Sequence, residues 1–83
     1  MMKLSGLKIG ERARVQAVET GEDMKRRLRA LGVFTGAEVK VLQVGFFART
    51  FLIEAEGARL GMGKRLAEKI FVDTAFADLE AEG

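Results

Sequence analysis

The chain of 83 residues contains no cysteine, no histidine, no proline, no tryptophan and no tyrosine. Without cysteine there are no disulfide staples and no thiolate chemistry, which fits a reducing compartment. Without histidine the commonest metal ligand and the commonest general base are gone. A preformed zinc site, a Cys–His dyad and a Ser–His–Asp triad are therefore excluded. Long apolar runs are missing too. The longest near the middle, residues 44–48, is far short of the ~20 residues that span a bilayer. Charges at Lys3, Lys8, Glu11, Arg12, Arg14 and Glu19 leave no apolar core for a signal peptide in the first twenty residues. A cytoplasmic domain is the expectation.

What is present suits one small globular domain. Hydrophobic residues make up 48% and charged residues 31%, a balance that supports a packed core and argues against disorder. The net charge is only +2, but it is unevenly spread. Asp73, Asp78, Glu80 and Glu82 give residues 73–83 four acids and no base, so residues 1–72 carry +6. Residues 1–72 are expected as the domain and 73–83 as a flexible acidic tail, with Phe76 and Leu79 leaving room for a short docked turn. A basic body suits nucleic acid, an anionic membrane, an acidic protein surface or simply solvent.

Glycine supplies all the punctuation. Residues 1–10 read as a lead-in anchored by Leu4, Leu7 and Ile9, with a turn at residues 8–11. Over residues 12–19 Ala13, Val15 and Ala17 alternate with Arg12, Arg14 and Gln16, the period of a half-buried strand. Thr20 then reads as an N-cap with Asp23 completing a capping-box-like pattern. Met24, Leu28 and Leu31 fall at i, i+4 and i+7 on one helix face, and Gly32 is a natural C-cap. Gly36 is placed for positive φ in the turn that follows. Residues 37–44 form a second strand, with Val39 and Val41 on one face and Lys40, Leu42 and Val44 on the other. Residues 50–55 form a third, with Phe51 and Ile53 opposite Glu54. A tight hairpin turn at Glu56-Gly57 leads to a fourth at 58–62. One helical turn at 64–69 and a last strand at 70–72 complete the pattern. About five short strands with one short helix inserted after the first make a mainly β protein, a small bent barrel whose closure removes exposed edges.

The run Leu28-Arg29-Ala30-Leu31-Gly32-Val33-Phe34-Thr35-Gly36-Ala37-Glu38-Val39 resembles the "RL..LG(L/I).PG..V" segment of the FeoA family, ferrous iron transport protein A. Leu7 to Gly10 with Arg14-Val15 resembles the family's opening pattern, and Gly61 to Val72 its closing one. The likeness spans residues 4–72. Thr35 stands where the family usually has proline, Gly61 where alanine is common and Gly63 where arginine is common. Phe47-Ala48-Arg49-Thr50 replaces a "GDP"-like loop. The resemblance implies an SH3-like barrel. It also implies a noncatalytic cytoplasmic accessory of FeoB, the GTPase-linked transporter that imports ferrous iron, with membrane contact only through that transporter. The same fold occurs as a domain of metal-dependent repressors.

The candidate contact residues are basic and aromatic. Lys25, Arg26, Arg27 and Arg29 cluster on the helix, where Glu22 and Asp23 offer i,i+4 partners to Arg26 and Arg27. Lys25 and Arg29 lack an evident acid, so they are the expected steering charges; the competing reading is a solvated helix face. Phe46 and Phe47 are adjacent, so in an extended segment one enters the core and the other serves as a contact anchor, unless the loop folds back over both. Arg49 accompanies them, and Lys64 and Arg65 form a further basic segment. Glu54 and Glu56 offer only hard oxygen ligands at an exposed hairpin, a poor selective iron site. Met62 reads as core, and Gly57, Gly61 and Gly63 lack phosphate-loop spacing. No metal, cofactor or specific nucleic acid is expected. The alternative is an SH3-like nucleic-acid-binding or metal-dependent regulatory module, suggested by the basic body and the two phenylalanines. An enzyme ranks last, since no carboxylate pair stands out.

Overall fold

A computed structural model describes residues 1–75. Six strands form one antiparallel sheet in the order β1-β6-β2-β3-β4-β5. They are β1 (Met2–Lys3), β2 (Arg12–Val18), β3 (Glu38–Val44), β4 (Thr50–Ala55), β5 (Ala58–Gly63) and β6 (Ile70–Asp73). Helix α1 (Glu22–Ala30) lies between β2 and β3, and the single turn α2 (Lys64–Ala67) between β5 and β6.

Alternation sets the core. Ala13 and Val15 of β2, Val39 and Val41 of β3, and Phe51, Ile53 and Ala55 of β4 all point inward and are buried. Met62, Ile70 and Val72 close the same cluster from β5 and β6, and Leu4 and Leu7 plug it from the lead-in. No polar or charged side chain is buried among the described residues. The core is thus held by apolar burial alone, each large side chain contributing about 1.5–3 kcal/mol.

Two bulges bend the sheet. The β2–β6 register slips between Val15 and Ala17, so Val18 and not Ala17 is the next buried residue. The β3–β4 register slips between Val41 and Gln43. Val44 therefore turns back to pack against the core, where strict alternation puts it on the far face. An extra residue in one strand raises local twist and helps a small sheet curl.

The β4–β5 hairpin turns at Glu56 and Gly57, both with positive φ (51° and 77°). That pairing of signs is the type I′ geometry, which matches the twist of the strands it joins. The lead-in differs from expectation in two ways. Met2 and Lys3 pair with Val72 and Phe71 as a sixth strand, too short to show a period. Ile9 sits exposed at the tip of the 8–11 turn, which the Glu11 N–H closes by donating to the Lys8 carbonyl at 3.0 Å.

Helix α1 also departs from its pattern. Gly21, not Thr20, is the N-cap, and no side chain caps it. Of the expected apolar face only Leu28 is buried (2% exposed), while Met24 and Leu31 remain exposed. Leu28 is the one α1 side chain buried in the core, and the thin barrel does not enclose the other two. The C-terminus follows expectation. Gly32 has φ +94°; its N–H donates to the Arg29 carbonyl at 3.1 Å and the Val33 N–H to the Leu28 carbonyl at 2.8 Å. These two bonds form a Schellman motif, which satisfies carbonyls the helix leaves open. Asp73, assigned to the tail from sequence, is the last residue of β6 and pairs with Arg14. Residues 76–83, with the expected tail turn at Phe76 and Leu79, lie outside the described residues.

Candidate functional site

Lys25 and Arg29 line a groove of about 240 Å³ between α1 and the barrel. They lie four residues apart, hence on one helix face. The opposite wall comes from Gln16 to Glu19 at the end of β2, and Val33, Phe34 and Thr35 form its floor and rim. The Schellman turn fixes this arrangement, because it reverses the chain at Gly32 and brings residues 33–35 back beside the helix. The charge pairing on α1 differs from expectation. Lys25 approaches Glu22 at 3.9 Å, and Arg26 pairs with Asp23 at 2.7 Å, both at i,i+3. Arg29 has no ion-pair partner among the described residues. The groove thus presents two cations on one wall and, on the other, mixed apolar and polar surface that includes the acid Glu19. Gln16, Glu19, Phe34 and Thr35 were not foreseen as part of it. The 34–36 turn was legible, but its packing against α1 is long-range.

Arg49, Lys64 and Arg65 come together elsewhere, lining an open groove with Gly63 and Glu68. The Lys64 N–H donates to the Arg49 carbonyl at 2.8 Å, which ties the start of α2 to the loop before β4. That loop carries Phe46 and Phe47, 90% and 86% exposed. The expectation that one of them enters the core is wrong. The segment is not extended: residues 46–48 form a 3-10 turn with Phe47 in the left-handed region, so the alternation argument does not apply. Lys25 and Arg29 on one hand, and Arg49, Lys64 and Arg65 on the other, therefore belong to two separate grooves built by different elements.

Glu54 and Glu56 line a third hollow with Glu38, Arg12 and Lys40. Arg12 forms an ion pair with Glu38 there. Among the described residues no group of three or more acidic, histidine or cysteine side chains is placed to hold a metal ion. No helix among them is long and apolar enough to cross a membrane.

A six-stranded antiparallel sheet curled round one apolar core, with a helix between its second and third strands, is an SH3-like barrel. The chain belongs to the FeoA family: the FeoA domain model matches residues 2–74. Among solved structures, the FeoA protein from Chlorobium tepidum is 38% identical with a TM-score of 0.82, covering 88% of this chain and 70% of that one. FeoA from Stenotrophomonas maltophilia, complexed with zinc and described as a procaryotic SH3 domain protein, is 30% identical with a TM-score of 0.75. It covers 90% of this chain and 93% of its own. A manganese-dependent transcriptional repressor shares the fold alone, at 20% identity and a TM-score of 0.77 over 88% of this chain and 41% of that one. No curated protein matches. The family is associated with ferrous iron transport.

Proposed function

We propose that this chain is a noncatalytic cytoplasmic accessory of ferrous iron uptake that docks on the cytoplasmic part of a FeoB-type transporter through the α1 groove. The observation that carries this reading is the placement of Lys25 and Arg29 on one rim of a groove whose other side is partly apolar. Cations on a rim steer an acidic partner, while the half-buried Phe34 offers apolar area to bury. Family membership supplies the process. The Stenotrophomonas relative is itself put forward as a ferrous iron transport activating factor. The absence of histidine and cysteine from the sequence favours action by contact over action by chemistry.

The reading of a regulatory or nucleic-acid-binding module gains only a shared fold from the manganese-dependent repressor. Fold does not carry function. Transport itself is the test of the accessory role. Cells that keep the transporter but lose this chain should take up ferrous iron at a changed rate, restored by supplying the chain. Unchanged uptake under iron limitation would contradict the role.

A further inference from the structure

Phe46 and Phe47 stand out from the rest of the surface. Two adjacent aromatic side chains, each nearly nine-tenths exposed or more, sit at the tip of a loop whose backbone holds them outward. Phe47 and Ala48 both have positive φ, 57° and 53°, a region that residues bearing a Cβ avoid. The loop is nonetheless a built hook. The Ala48 N–H donates to the Gly45 carbonyl at 3.1 Å, and the Arg49 N–H to the Phe46 carbonyl at 3.2 Å. The Gly45 N–H donates to the Thr50 carbonyl at 2.9 Å. Gly45 approaches Thr50 so closely that a Cβ there would strike the threonine hydroxyl. Arg49, which follows the aromatic turn, lines a groove with Lys64 and Arg65, in which Glu68 is the one acid.

We propose that this tip seats directly on the anionic surface of a lipid bilayer. Phe46 and Phe47 enter the boundary between headgroups and acyl chains, and Arg49, Lys64 and Arg65 face the lipid phosphates. The shape favours a bilayer over a protein. A protein partner needs a pocket matched to two neighbouring rings on a protruding turn, whereas the bilayer interface admits an apolar wedge without such a match. The charge agrees, since the groove of three bases and one acid that backbone bonds tie to the aromatic turn is what anionic lipid attracts. The long stems of Arg49, Lys64 and Arg65 let the apolar part sink while the charges stay at headgroup level. The inference rests on the accessory reading only in that a transporter's partner works beside a membrane. It adds direct lipid contact to contact through the transporter.

The absence of tryptophan makes Phe47→Trp a single fluorescent reporter. Its emission should shift to the blue on vesicles of phosphatidylglycerol and phosphatidylcholine in equal amounts, and be quenched by brominated lipid. It should stay unshifted on phosphatidylcholine alone. In vesicle sedimentation, the Phe46→Ala, Phe47→Ala double variant should bind at least about tenfold more weakly, and Arg49→Glu with Lys64→Glu should do the same. Two results would overturn the proposal: no shift on the anionic vesicles, or an equal shift on both kinds. A tip variant that binds vesicles like the parent but loses affinity for the soluble part of the transporter would assign the tip to a protein instead. The vesicles carry no protein, so their outcome is independent of transporter docking.

Discussion

Gly32 and Glu56 meet where the turn after α1 packs on the β4–β5 hairpin. A Cβ on Gly32 would lie 2.8 Å from Cγ and 2.9 Å from Cβ of Glu56, and 3.2 Å from the Ala55 carbonyl oxygen. Gly32 also has φ +94°, so an alanine there meets both backbone strain and a crowded neighbour. Gly32→Ala should cost about 2 kcal/mol or more, measured by urea unfolding. A loss under about 0.5 kcal/mol, the range of an ordinary surface change, would show that this junction gives way freely.

Leu28 is the one side chain through which α1 reaches the core. Leu28→Ala should destabilise by about 2–4 kcal/mol, a large share of the stability of a domain this small. Met24→Ala, one turn earlier and exposed, should cost less than about 0.5 kcal/mol. Equal losses at the two positions would mean that α1 docks on a broader face.

The contrast between those two residues shows what was legible in the sequence. Strands were readable because their signal is local: Phe51 and Ile53 alternate with Leu52 and Glu54, and Glu56-Gly57 bounds the run. Gly32 and Gly36 were readable because positive φ selects glycine. Met24 and Leu31 misled because helical periodicity says which residues share a face and not whether a wall faces it. Val44 misled because a bulge resets the alternation and leaves no mark in composition. Phe46 and Phe47 misled because the left-handed turn at Phe47 breaks the extended geometry on which the argument relied. The division of the five candidate bases between two grooves was not legible, because long-range packing sets it.

Metal binding offers a separate check. The chain has no thiolate or imidazole ligands, and the acids of the Glu54–Glu56 hollow share it with Arg12 and Lys40. Calorimetry with ferrous iron or zinc should detect no submicromolar site on the monomer. A stoichiometric submicromolar site would show that the chain carries metal itself.

The most direct measurement of the central claim is the kinetics of binding to the soluble cytoplasmic part of a FeoB-type transporter. Lys25→Glu with Arg29→Glu reverses the charged rim of the α1 groove while leaving Leu28 and the Schellman turn in place. Circular dichroism should therefore show a parent-like fold. The association rate should fall by roughly tenfold or more at low salt, with the difference shrinking as salt rises, because rim charges act mainly on encounter. Phe34→Ala, which trims the apolar side of the same groove, should act mainly on dissociation. Folded variants of both kinds that bind with parent rates would contradict docking through the α1 groove.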